Sequence, residues 1–367
     1  MTVTRPTVQF VLRSLSLVSI AVLLAGMCAS TACTVFGDAP IDEGIVRSDQ
    51  ADVYSSTALV ALKVATVKRG DTVDIMRREA VVGPTYTENW LQIRLKDDAE
   101  TSGWIEARHV VTEDVVKKSA EAAGKREEVP TIARGRLKVN QKLRLAPGRD
   151  TDVAVVLTRG TEFDITGKAS TTYKPPRPTK PGAQSDDEPE AEDMEEPEEQ
   201  TDTWYRVRLD EGSILEGGWL LAQSVSLQVP DEILHLEGNG RRFVAWLVVS
   251  TTTNDKAAQG EDAKRNNYVT FMRRGDAPTE VDFDRLYAVF WTNDGHTYTG
   301  PYVESEMRGV FPVSQEMRGG RPVVTVHVLD ASNKPVPVEY EVAPDEKGRL
   351  QVKRLTPPIP GERLRGR

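Results

Sequence analysis

The chain has 367 residues, of which 39% are hydrophobic and 28% charged, enough for about two to four modest domains with cores of their own. Its net charge of -9 has a local origin: Asp186 to Glu199 holds ten carboxylates and no base, and taking those ten away moves the balance from -9 to about +1. No broad basic face remains to neutralise phosphates, which argues against a nucleic-acid partner.

The only cysteines are Cys28 and Cys33, both at the end of the first apolar segment. The body of the protein therefore has no structural disulfide, no cysteine nucleophile and no Cys-based zinc site. Arg5 and Arg13 precede an apolar run, Leu15 to Ala25, followed by the small residues Ala29 to Ala32. A positive segment, a short apolar stretch and a small-residue zone predict a secretory signal over residues 1–32. The run is 11 residues long, whereas crossing hydrocarbon takes roughly 20; a retained transmembrane helix is the alternative. Ser30-Thr31-Ala32-Cys33 resembles the lipobox of bacterial lipoproteins, with Ser30 where leucine is usual. That resemblance implies acylation of Cys33, with Cys28 as second candidate, followed by a tether over 33–45. Cleavage after Ala32 to release a free protein is the other outcome. Thr34 rather than aspartate after the cysteine favours, by the same resemblance, the outer membrane of the cell envelope.

An internal repeat follows. Ala51 to Asp71 returns as Gln141 to Thr161 at a constant offset of 90, with KRGDTVDI (Lys68 to Ile75) aligned on TRGTEFDI (Thr158 to Ile165). ENWLQIRL (Glu88 to Leu95) returns as DTWYRVRL (Asp202 to Leu209), offset 114, and GWIEARHVV (Gly103 to Val111) as GWLLAQSVS (Gly218 to Ser226), offset 115. An insertion in the second copy accounts for the change of offset. Apolar and polar residues alternate through Val73 to Ile75 and Phe163 to Ile165. Leu91, Ile93 and Leu95 share one strand face, as do Tyr205, Val207 and Leu209. Gly70 and Gly160 sit before a strand where a left-handed turn favours glycine. Short strands at this spacing predict two small closed β-barrels.

The order of these motifs, an apolar strand, x-x-G-x-x-x-x-I, W-x-x-V/I, then G-W-[IL] before a last strand, resembles the bacterial SH3 domain. The resemblance covers 46–113 and 134–228 and implies SH3-like barrels that contact peptidoglycan or another envelope protein. The second copy departs from it by its insertion, and by Leu143-Arg144-Leu145 where the first has Val53-Tyr54-Ser55.

Residues 114–133 read as a polar linker with one helical turn. Residues 170–201 combine six prolines with the carboxylate block and are expected to be disordered. Residues 231–356 form a β-rich domain of no recognised family, with strands over Phe243 to Ser250, Leu286 to Thr292, Val323 to Leu329, Val336 to Val342 and Leu350 to Val352, the last two flanking a hairpin loop. Residues 357–367 read as a frayed tail. The fold class is thus mainly β: two small SH3-like barrels in tandem plus a β-rich C-terminal domain.

Catalytic constellations are sparse. The four histidines, His109, His235, His296 and His327, form no H-E-x-x-H or H-x-H; His327 reads as a strand residue, and no cofactor is expected. Arg69-Gly70-Asp71 and Arg274-Gly275-Asp276 read as turns. The expected binding residues are Tyr54, Trp90 and Arg94 in the first copy and Trp204, Tyr205 and Arg206 in the second. Alternation sets each of Trp90 and Trp204 on the polar face of its strand, where an indole can stack on a sugar or peptide or else serve packing. Trp104 and Trp219 are expected in the core. The expectation is a non-catalytic envelope lipoprotein, held to a membrane by its lipid anchor, that binds peptidoglycan or an envelope protein. The alternatives are a protein–protein assembly module without glycan binding, and a wall hydrolase in the C-terminal domain.

Overall fold

The computed structural model describes residues 39–82, 87–125, 128–175, 198–256, 263–346, 348–359 and 365–366. The signal segment with Cys28 and Cys33, the central part of the insertion (176–197) and most of the tail lie outside the described residues. The protein is mainly β, with curled, barrel-like sheets. It divides into two compact units, one ending at Glu113 and one starting at Asp114.

The first unit is one antiparallel sheet of β1 (Asp42–Val46), β2 (Gln50–Tyr54), β3 (Lys63–Lys68), β4 (Thr72–Val82), β5 (Thr87–Leu95), β6 (Ser102–Glu106) and β7 (Val110–Thr112), in the order β3-β2-β6-β5-β4-β1-β7. It starts earlier than the repeat suggests, because Asp42 to Ile45 pair with β4 and Gly44 to Val46 with β7. Val46, Val53, Val67, Val73, Ile75, Ile93 and Ile105 fill the inside of the curl, each no more than 1% exposed. Gly70 takes φ +91° in the turn before β4. Gly103 lies on the inner face, where a Cβ would meet the Tyr54 carbonyl oxygen and Val53 Cγ1 at 2.7 Å each. That close approach requires glycine, and strand alternation then turns Trp104 outward.

From the boundary between the units runs a helix, α1 (Glu113–Ala123), longer than the single helical turn expected within a polar linker. Ser119 and Ala123, one turn apart, are buried. The Ser119 hydroxyl donates to the Gly217 carbonyl at 2.6 Å and accepts from its N–H at 3.0 Å. The helix is amphipathic, but its sequence is polar on average and its buried positions hold small residues, which is why a polar linker is the natural reading of it.

The second sheet comprises β8 (Ala133–Leu137), β9 (Gln141–Arg144), β10 (Val153–Leu157), β11 (Glu162–Tyr173), β12 (Gln200–Leu209), β13 (Gly217–Leu221) and β14 (Val225–Leu227), in the order β10-β9-β13-β12-β11-β8-β14. This is the first sheet's order advanced by seven strands. The register agrees: Tyr54 faces Trp104, and Arg144 faces Trp219, as offsets of 90 and 115 require. The β2–β3 and β9–β10 loops are closed by the same bond, Ser55 N–H to Leu62 O at 2.8 Å and Leu145 N–H to Asp152 O at 3.0 Å. Gly160 takes φ +87°, matching Gly70.

After a single helical turn, α2 (Asp231–Leu234), an antiparallel meander follows. Its strands are β15 (Arg241–Thr253), β16 (Lys264–Arg274), β17 (Phe283–Thr292), β18 (Thr297–Arg318), β19 (Arg321–Leu329), β20 (Pro335–Pro344) and β21 (Leu350–Arg354), paired in sequence order, with the short β22 (Arg365–Gly366) beside β18. All five expected strands are present within it. β16 and β18 are additional. The first begins with Lys264 to Asn267. The second carries Gly300, Pro301, Gly309 and Pro312, and its pairing with β19 shifts register between Val310 and Ser314. Neither shows a plain alternation along its sequence. The meander and second sheet belong to one body, joined by the Trp246 N–H to Ile132 O bond at 2.6 Å and the Lys168–Asp282 ion pair.

Candidate functional site

On the outer face of the first sheet, three aromatic residues come from three adjacent strands. Tyr54 of β2 and Trp90 of β5 meet edge to face, ring centroids 6.1 Å apart at 75°. Trp104 on β6 stands between those strands, opposite Tyr54 on one side and Gln92 on the other. All three are half-buried, so part of each ring system meets solvent. The Trp90 Nε1–H donates to Glu88 Oε2 at 3.3 Å. Indole and phenol rings offer large, stiff surfaces with a polar edge, suited to stacking against a sugar ring or flat peptide group. Two of the expected binding residues, Tyr54 and Trp90, are thus brought together.

Arg94 is not free to join them. Its Nε and Nη2 donate to Asp74 Oδ2 at 3.3 and 2.8 Å across the β4–β5 pair, so the guanidinium braces the sheet. Beside Tyr54 lies a shallow pocket of about 350 Å³, lined by Gln50, Asp52, Tyr54, Glu106, Arg108 and His109. Burial, and after it the Arg108 charge, hold His109 below its ordinary value near 6.5. Its Nδ1 lies 2.7 Å from Ser48 Oγ.

On the second sheet the equivalent face is closed around Trp204. Trp204 is 1% exposed and donates its Nε1–H to Thr171 Oγ1 at 2.9 Å. The expectation of a groove residue fails here for an identifiable reason. Arg149, at the tip of the β9–β10 loop, donates to both Asp202 carboxylate oxygens at 2.6 and 3.1 Å and stacks over the Tyr173 ring at 3.7 Å. At the matching positions the first copy has Leu59 and Glu88, which cannot form that clamp. Arg206 is also committed: its Nε donates to the Ala122 carbonyl and fixes the C-terminal end of α1. Tyr205 sits opposite Lys168, whose ammonium pairs with Asp282 of the C-terminal sheet. Burial, then Asp282, raise its phenol above the ordinary value. Of the three second-copy residues, Trp204 is enclosed, Tyr205 lies opposite Lys168, and Arg206 is tied to α1 while also lining an open cleft.

Trp219, expected in the core, instead faces outward, because the inward position belongs to Gly218. A Cβ there would meet the Arg144 carbonyl oxygen at 2.6 Å and Leu143 at 2.9 Å. Trp219 lines an open cleft of about 630 Å³ with Lys118, Glu121, Asp150, Asp152 and Arg206. The GW pair is the signal that reveals both outward tryptophans: its glycine is the inward residue.

In the C-terminal sheet the most deeply buried acid is Glu304, 2% exposed. Its Oε2 accepts from Tyr302 and Tyr340 hydroxyls at 2.7 and 3.0 Å, and its Oε1 from Arg354 at 2.8 Å. Burial, followed by Glu304, pushes the Tyr340 phenol far up. The group ties β18, β20 and β21 together and presents no acid or base to solvent. His327 is a strand residue, as expected, with Nδ1 2.8 Å from the Pro312 carbonyl. Arg69-Gly70-Asp71 lies at a turn, and Arg274-Gly275-Asp276 lies where the end of β16 passes into one. Among the described residues no three or more His, Cys, Asp or Glu gather as a metal site, and no helix is long and apolar enough to cross a membrane. A scan against protein-family models and a search of curated proteins both find no match for this chain.

Proposed function

We propose that this chain is a non-catalytic cell-envelope lipoprotein, anchored through acylated Cys33, whose first SH3-like barrel binds peptidoglycan through the Tyr54–Trp90–Trp104 face. The observation that carries the reading is the Tyr54–Trp90 pair: two rings held against each other on the outside of a sheet whose core is complete without them. Glycan and stem-peptide chains offer apolar ring faces next to polar edges, which stacked aromatics bordered by Glu106, Arg108 and Gln50 complement. The lipobox-like Cys33 and the repeated barrel motif support placement outside the cytoplasm.

The test is co-sedimentation of the Thr34–Arg367 form with purified peptidoglycan sacculi. Binding is expected to fall about two- to tenfold with Trp90→Ala, since one aromatic stacking contact is worth about 0.5–1.5 kcal/mol. Sedimentation no greater than that of an unrelated protein removes the wall-binding proposal. Retention by an envelope protein in the absence of bare wall binding selects the assembly-module reading.

A further inference from the structure

The β2–β3 loop of the first sheet, Ser55 to Leu62, exposes three large aliphatic side chains: Leu59 is 98%, Val60 89% and Leu62 76% exposed. The fold does not require them. The β9–β10 loop of the second sheet is closed by the equivalent hydrogen bond, yet carries Arg149, Asp150 and Asp152 at the matching positions. We infer that the tip of the β2–β3 loop inserts into the lipid surface that carries the anchor.

Three observations select a bilayer over a protein partner. The side chains protrude almost completely, whereas residues that line a protein-binding groove are partly enclosed by their own surface. They are leucine and valine, which are under-represented among the energetic centres of protein interfaces, where tryptophan, tyrosine and arginine dominate. A fluid bilayer makes no demand on shape, so protruding aliphatics suit it. The composition and local bonding of the loop also suit a lipid surface. Ser55 to Leu62 contains no charged residue. Besides its closing bond, the Ala61 N–H donates to the Ala58 carbonyl at 3.0 Å, the Leu62 N–H to Ser55 Oγ at 3.2 Å and the Ala58 N–H to Ser56 Oγ at 3.4 Å. These bonds pair part of the loop's backbone within the segment, which lowers the cost of bringing it to a lipid surface.

Reach permits the contact. Asp42, where β1 starts, stands nine residues after Cys33, a span of at most ~30 Å, about the diameter of a small domain. The inference rests on the proposed anchoring at Cys33, and the experiment separates the two. The Thr34–Arg367 form retains every described strand and lacks both cysteines, so its vesicle binding owes nothing to acylation. It is expected to float with vesicles of phosphatidylcholine and of phosphatidylglycerol alike, because the tip is uncharged. The variant L59D/V60D should lose this binding on the order of tenfold or more. An environment-sensitive dye on Val60→Cys, the sole thiol of that form, should shift to the blue with vesicles, while the same dye on Asp150→Cys in the matching loop should not. No flotation, equal flotation of parent and variant, flotation with phosphatidylglycerol alone, or a Val60→Cys dye that reports water throughout would overturn the proposal. Acylation itself is read separately, from the mass of the N-terminal peptide of the exported protein.

Discussion

Trp204→Ala is expected to destabilise the second unit by about 3–5 kcal/mol, the range for removing a fully buried tryptophan. For a unit of this size that corresponds to a fall of roughly 10 °C in melting temperature. The side chain is enclosed, its N–H is satisfied by Thr171, and the Arg149–Asp202 clamp closes over its strand, so its removal leaves a cavity that the clamp prevents from collapsing. Trp90→Ala, the same substitution at the matching position of the first sheet, is expected to cost about 1 kcal/mol, the worth of one exposed aromatic pair. Calorimetry on the two variants and the parent reads both. Equal costs at the two positions would show that the repeats do not differ in the way their loops dictate.

The second large effect is expected at Glu304. Glu304→Ala removes the carboxylate that faces Arg354, Tyr302 and Tyr340 at 2% exposure, and breaking a buried pair from one side costs about 3–5 kcal/mol. Replacing both charged partners, Glu304→Leu with Arg354→Leu, should recover much of that loss, because paired removal leaves no buried charge without its counter-charge. Denaturant midpoints of the single and double variants check this. A single variant as stable as the parent would mean that the cluster is hydrated in solution and contributes no cohesion to the sheet. No comparable loss is expected of wall binding, since these residues lie in the C-terminal sheet.

Much of this architecture is legible in the sequence because the repeat is. Constant offsets of 90 and 114–115 place equivalent strands, and the registers Tyr54–Trp104 and Arg144–Trp219 obey them. Gly70 and Gly160 announce their turns through the left-handed backbone that glycine alone accepts without strain. The failures have physical causes. Alternation says which residues share a face but not what covers it, so Trp90 and Trp204 look alike until Arg149 and Asp202, 53 residues apart in sequence, are seen to meet. The outward turn of Trp104 and Trp219 is inferable only once the glycine before each is recognised as the inward residue, crowded by a neighbouring strand. Helix α1 escapes notice because Ser119 packs by hydrogen bonds to Gly217 rather than by a large apolar side chain.

The resulting picture assigns different tasks to two copies of one fold. In the second, the Arg149–Asp202 clamp lies over the strand of the matching tryptophan, Arg206 holds α1, and Lys168 meets Asp282 of the C-terminal sheet, all within one compact unit. In the first, the same positions hold Leu59, Glu88 and Gln92, and the aromatic face stays open.

The most direct measurement of this division is hydrogen exchange on the Thr34–Arg367 form, with and without soluble peptidoglycan fragments, resolved to individual strands. The account predicts added protection over β2, β5 and β6, around Tyr54, Trp90 and Trp104, with no change over β12 and β13. Protection concentrated at Trp219 and α1 instead, with the first sheet unaffected, would contradict it.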